Sequence, residues 1–251
     1  MKEESVSVKQ GKKALFYLIV QYQTDKIEAE RTIQMGNGNR GNTMIIKNGL
    51  VFTPEGKFEK KDFYIEGEYV AKETTDNKEV EAEGCYVIPG LVDIHFHGCV
   101  RHDMCDGTEE SIQALADYEA ANGVLAICPA TMTIPEEELF QAMNAAREHK
   151  NGKGADLVGI NMEGPFVNKE KKGAQKEEDI KLADVELFHK LQEAAGGLIK
   201  LVDLAPETEG AMDFINQVKD EVHVSIAHTM ADYDTATEAI NRGVDHITHL
   251  Y

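Results

Sequence analysis

From residue 91 onward, short apolar runs alternate with stretches of helical patterning, and this alternation limits the folds open to the chain more than any other feature. The runs cover residues 91–94, 124–128, 157–162, 198–204, 222–227 and 244–250. Each is too short for an ordinary helix and reads as a strand buried on both faces. The intervening segments carry helix signals. Residues 109–121 follow Thr108, an N-cap candidate. Residues 135–149 open on Pro135 and place Glu136, Glu137 and Glu138 at the positive end of the helix dipole. Residues 183–195 end at Gly196 and Gly197, a C-cap signal. Residues 210–218 and 232–241 are the last two helical stretches. Repeated right-handed βα units close most naturally into a (β/α)8 barrel. The predicted fold class is therefore α/β: an incomplete (β/α)8 barrel over residues 89–251, with about six of the eight units and truncated after strand six.

In such a barrel the chemistry sits at the C-terminal ends of the strands. Strand one runs into His95-Phe96-His97, and residues two apart on a strand share a face. Strand three ends in Glu163, strand five in His228 and strand six in His249. Four imidazoles and a carboxylate on one rim form the donor set of a divalent metal site. The remaining histidines do not fit this pattern. His149 and His189 fall in helical stretches and are expected to face solvent. His223 starts its strand, at the end away from the chemistry. His246 is three residues from His249 and so on the opposite face. His102, beside Asp103 in the loop after the histidine pair, is a candidate for substrate contact.

The upstream part is organised differently. Residues 1–43 read as an N-terminal extension ending in a Gly/Asn-rich linker at 35–43, with an apolar strand at 14–20. Residues 44–88 read as part of a small β-sandwich domain. Strands are expected at 44–52 and 62–70, a turn at 53–56 and a second, hairpin-like turn at 65–68. The net charge of −19 is uneven: residues 1–43 hold seven basic and five acidic side chains, and the rest of the chain carries −21. So acidic a body argues against nucleic acid as a partner. No apolar run approaches a membrane span. The four cysteines, Cys85, Cys99, Cys105 and Cys128, show no metal-knuckle or disulfide spacing and read as free thiols of a reducing cytoplasm.

The segments Pro-Gly-Leu-Val-Asp-Ile-His-Phe-His-Gly (89–98), Met-Glu-Gly-Pro-Phe (162–166), Lys-Lys-Gly-Ala-Gln (171–175), Leu-Ala-Pro-Glu (204–207), Ala-His-Thr (227–229) and Thr-His-Leu-Tyr (248–251) carry a resemblance. Over residues 44–251 the chain resembles the N-acetylglucosamine-6-phosphate deacetylases of the amidohydrolase superfamily. The resemblance implies metal-dependent hydrolysis of the acetamide of N-acetylglucosamine 6-phosphate to glucosamine 6-phosphate and acetate, in amino-sugar catabolism. It implies one or two divalent ions (zinc, iron, manganese or cobalt). Glu163, His228 and His249 match the ligands of the main ion, and His95 and His97 those of a second. Gly164, Ala174 and Gln175 match substrate contacts. A cytoplasmic homodimer acting on a phosphorylated amino sugar, away from membranes, is implied as well. The family's general acid/base is an aspartate at the end of strand eight, expected beyond Tyr251, so the 251-residue chain alone is expected to be inactive. Two other readings stand beside this one: an amidohydrolase acting on a cyclic amide, such as a dihydroorotase, and an inactive metal-binding fragment.

Overall fold

The structure, a computed structural model, describes residues 17–21, 43–66, 69–74 and 78–250. The chain divides into two compact units, residues 1–91 with 121–125, and residues 92–120 with 126–251.

The first unit is built on β1 (Tyr17–Gln21), β2 (Met44–Phe52), β3 (Phe58–Glu66), β4 (Tyr69–Ala71), β5 (Glu79–Glu81) and β6 (Cys85–Pro89). They pair in the order β1-β6-β2-β3-β4, with β5 also on β2. The apolar stretch at 14–20 supplies β1, which runs antiparallel to β6. The expected linker, apart from Thr43, lies outside the described residues. β2 has the expected bounds. Met44, Ile46, Val51, Phe63, Ile65 and Val87 form its buried core. The alternation along β2 slips between Ile46 and Gly49, where Asn48 takes φ 61° and a bulge forms. β3 begins four residues before the expected 62. Residues 58–61 are exposed and mostly charged, but their backbones pair with β2 and Phe58 packs on Phe52 and Tyr86. Pairing there overrides side-chain pattern. The expected strand 62–70 is divided between β3 and β4; Gly67 and Glu68 of the expected second turn lie outside the described residues.

Downstream come β7 (Leu91–Asp93), the hairpin β8 (Gly98–Cys99) and β9 (His102–Asp103), α1 (Glu109–Ala121), β10 (Val124–Ile127), α2 (Glu136–Glu148), β11 (Asp156–Leu157), β12 (Ile160–Glu163), α3 (Val185–Ala194), β13 (Ile199–Leu204), α4 (Ala211–Val218), β14 (His223–Ile226), α5 (Tyr233–Arg242) and β15 (His246–Ile247). α1 has the bounds expected of it. Pro135 caps α2 from outside rather than opening it. Asp184 and Asp232 cap α3 and α5 through their side chains. Apart from the β8–β9 hairpin, these strands form two sheets, β11-β10-β7 and the parallel β12-β13-β14-β15, with a parallel bridge between Ala130 and Asn161. This is a mixed α/β fold. Among the described residues the sheets do not close into a barrel.

Two strand expectations need correction. The run 157–162 is not one strand. Val158 donates to Ile127 and Asn161 to Pro129 on one side, while Ile160 donates to the Leu198 carbonyl on the other, so the segment keeps a neighbour on each side and is interrupted only by an irregularity at Val158 and Gly159. A Cβ on Gly159 would collide with the Lys200 side chain. Nor is the run 91–94 buried: Leu91, Val92 and Ile94 are 41–50% exposed. The cause is that β7 is an edge strand, with β10 as its partner among the described residues.

The β8–β9 hairpin turns on Val100 and Arg101, both left-handed at φ 46° and 70°. Such a two-residue turn favours Asn-Gly, and a β-branched residue is the poorest choice at its first position. Val100→Asn with Arg101→Gly is expected to stabilise the protein by about 1–2 kcal/mol. Chemical denaturation checks this, and an unchanged or lower midpoint would show that the turn is not strained.

Candidate metal centre

Glu163 closes β12 and is 1% exposed. Its two oxygens face two different pairs of imidazoles. Oε1 is 2.5 Å from Nε2 of His228 and 3.2 Å from Nε2 of His249. Oε2 is 3.1 Å from Nε2 of His97 and 3.2 Å from Nε2 of His95. All five residues marked in the sequence thus meet at one carboxylate. Nε2 of His95 and Oε2 of Glu163 are buried and close, yet neither has a hydrogen bond of proper geometry. One donor atom each from His95, Glu163 and His249 lie within 4.8 Å of one another.

The backbone delivers these groups from strand ends. His95 and His97 lie just beyond β7, in an extended segment held by bonds from Cys128 to Asp93 and from Ala130 to Phe96. The Asp93 carboxylate accepts the His95 amide and braces the turn. His228 and His249, which follow β14 and β15, both take left-handed φ of 46° and 55°. Residues with a Cβ held in this region concentrate at functional sites.

Second partners set the ring orientations. Nδ1 of His228 is 2.8 Å from the carbonyl oxygen of Lys171. A carbonyl only accepts, so Nδ1 carries the hydrogen, and the neutral ring aims its Nε2 lone pair at Glu163. A lone pair facing a carboxylate needs a proton or a cation between them. His95 Nδ1 lies 2.9 Å from the Asn161 side-chain amide, whose Oδ1 is buried without a partner. The same amide nitrogen is 3.4 Å from the Ile94 carbonyl oxygen, so Asn161 ties the His95 ring to the backbone before it. Burial pushes the Glu163 carboxyl up, but the contacts with His228, His95 and His97 outweigh it and hold the group well below the usual carboxylate range. The same contacts raise His97 and His228 above the ordinary imidazole value. A permanently ionised carboxylate among imidazoles, with orphaned donor atoms turned inward, fits a divalent cation.

The expected sugar contacts are placed differently from one another. Ala174 is exposed on the loop beside the centre. Gln175 is 2% exposed and engaged at both ends: its Oε1 accepts from the Thr133 amide at 2.5 Å, and its Nε2 donates to Glu163 Oε1 at 3.1 Å. Gly164 is buried with φ 76°, and a Cβ there would meet the Thr133 hydroxyl. Gln175 bonds Glu163 directly, and Gly164 follows it in the chain. His102 bonds Ser111, which donates to Asp106, so it anchors the hairpin loop to α1. His149, expected in solvent, has both ring nitrogens buried, and burial lowers its pKa. Burial also pushes the thiols of Cys105 and Cys128 up to about 12, which favours the protonated form.

Sequence reasoning missed Asp203. It pairs in register with Glu163, is fully buried, and accepts from the Thr248 hydroxyl at 2.9 Å, which in turn lies 2.8 Å from Ser225. This network fixes the approach to His249. Burial lifts Asp203 to about 7. The available signal was a charged residue inside the apolar run 198–204.

No family model matches the chain. It is 37% identical over 214 residues to N-acetylglucosamine-6-phosphate deacetylase of Bacillus subtilis (strain 168), covering 82% of this chain and 52% of that protein. It is 29% identical over 213 residues to N-acetylglucosamine-6-phosphate deacetylase of Bos taurus, covering 82% of this chain and 49% of that one. The chain spans about half the length of the curated relatives it matches. Its fold is similar to that of part of the solved N-acetylglucosamine-6-phosphate deacetylase of Pasteurella multocida, with a TM-score of 0.75 at 22% identity over 84% of this chain and 57% of that one.

Proposed function

We propose that this chain, a relative of the N-acetylglucosamine-6-phosphate deacetylases along four fifths of its length, carries the metal centre of an enzyme that hydrolyses the acetamide of N-acetylglucosamine 6-phosphate. The products are glucosamine 6-phosphate and acetate. The observation that carries this reading is the convergence of four imidazoles on the two oxygens of Glu163. In this reading the βα units are six of the eight of a (β/α)8 barrel, and the site lies on its C-terminal rim.

Glu163, His228 and His249 would hold the main ion, and His95 and His97, on the other oxygen, a second. Imidazole and carboxylate donors suit zinc, iron, manganese or cobalt. Such an ion, when bound, polarises the acetyl carbonyl and lowers the pKa of water. The chain's own residues prepare the site for it. The Lys171 carbonyl fixes the His228 tautomer, Asn161 orients His95, and Gln175 steadies Glu163 against the Thr133 amide. Gly164, Ala174 and Gln175 are the sugar contacts in this reading, Ala174 being the exposed one of the three. Asp203, although lifted to about 7 by burial, is fully buried and not placed to protonate a sugar amine. Among the described residues no helix is long and apolar enough to cross a membrane. A cytoplasmic location belongs to this reading as an expectation. A homodimer is part of the same reading.

The test is acetate release by the full protein that carries this chain. N-Acetylglucosamine 6-phosphate should be cleaved only with a divalent ion present, and a chelator should stop the reaction. N-Acetylgalactosamine 6-phosphate belongs in the same assay, because an Escherichia coli O157:H7 relative at 28% identity is named for that sugar. Chelator-resistant acetate release would overturn the metal mechanism. Hydrolysis of dihydroorotate in place of either sugar would favour the cyclic-amide reading.

A further inference from the structure

We infer that Glu207, the last residue of Leu204-Ala205-Pro206-Glu207, is a positioning residue for His228 and thereby for the metal centre. The inference rests on the metal-centre reading above and gives a role to a segment that reading leaves unused. Glu207 lies in the loop after β13 and is half-buried. Its carboxylate accepts three hydrogen bonds. Oε1 accepts from Asn168 Nδ2 at 2.8 Å and from the Met230 amide at 2.6 Å, and Oε2 accepts from the Thr229 hydroxyl at 2.5 Å.

These three partners flank His228 on two sides. Thr229 and Met230 are the residues that follow it, and His228 itself is held left-handed at φ 46°, a conformation disfavoured by its Cβ. Tying the next hydroxyl and the next-but-one amide to a fixed carboxylate keeps that backbone from relaxing. Asn168 lies on the loop after β12. Its Oδ1 accepts the Glu170 amide at 2.8 Å and caps the single turn Lys169–Lys171. Its own amide donates to the His228 carbonyl at 3.0 Å. That turn presents the Lys171 carbonyl to His228 Nδ1 at 2.8 Å, the bond that sets the tautomer. One carboxylate therefore holds both the ring's backbone and the loop that supplies its hydrogen-bond acceptor. Removing it loosens both and leaves only the Asn168 amide and the Lys171 carbonyl to hold them together, so Nε2 is aimed less firmly at the ion.

The experiment is a competition titration of the metal-free protein with zinc against a chromophoric chelator, with folding followed by circular dichroism. Glu207→Ala is expected to weaken zinc binding by about 10–100-fold, the loss typical of an outer-shell partner. Glu207→Gln keeps an acceptor for Asn168 and Met230 and offers its amide to the Thr229 hydroxyl, so it should stay within about 3-fold of the parent. With His228→Ala in the background, Glu207→Ala should add less than about 2-fold, because two residues acting through one contact are not additive. A loss just as large without His228 would show a general effect on the fold and overturn the inference, as would no loss at all. Parent protein that takes up no zinc would instead sink the metal-centre reading itself. Should Glu207→Ala fail to fold, Asn168→Asp keeps the acceptor that caps the Lys171 turn and loses only the donor to Glu207. It must then weaken zinc binding only while His228 is present, and an equal loss in both backgrounds overturns the inference.

Discussion

Glu163→Gln is expected to lower the affinity for divalent ions by more than about 100-fold, beyond what loss of an outer-shell group costs. The substitution preserves shape and removes the charge. Each oxygen of Glu163 faces a different histidine pair, so both ion positions lose their shared anion. A Gln side chain would also turn an N–H₂ group toward one of those pairs, in place of an acceptor. His95→Ala takes away one imidazole on the Oε2 side and leaves His228 and His249 on Oε1, so the main ion should remain. Metal content per chain after dialysis separates the two variants. Equal loss, or greater loss from His95→Ala, would reverse the assignment of main and second ions.

Phe214→Ala is expected to destabilise the fold by about 3–5 kcal/mol. The Phe214 ring on α4 lies 5.2 Å from that of Phe166 and 5.7 Å from that of Phe188 on α3, and all three are at most 1% exposed. Truncation would leave a cavity between two rigid rings that have little freedom to collapse into it. Phe166 is three residues from Glu163 along a segment whose every residue is buried, so the same packing supports the metal centre. Urea unfolding of the metal-free protein measures the effect. A loss below about 1 kcal/mol would mean that the aromatic cluster repacks freely.

The residues that could bind an ion were legible in the sequence because they are local features with a period. A strand places its side chains by a repeat of two, and a βα unit puts each strand's last residue on one rim. That is how His95, His97, Glu163, His228 and His249 could be named together, and why the start of α1 could be read from Thr108. What holds the five side chains in place was not legible. Gln175 reaches Thr133 across 42 residues and His228 reaches the Lys171 carbonyl across 57, and neither partner carries a local pattern. The same holds for Asn161 beside His95, for Asp203 beneath Thr248, and for Glu207 between two loops. The irregularity at Val158 and Gly159 and the exposure of Leu91, Val92 and Ile94 depend on which strand lies alongside, a property of pairing and not of composition. Hydropathy and capping act within a few residues, so the sequence alone determined which elements form and which donors they carry. Hydrogen bonds to buried polar atoms are satisfied by whatever the tertiary fold brings within about 3 Å, and so only the assembled structure decided tautomer, orientation and burial at the metal centre.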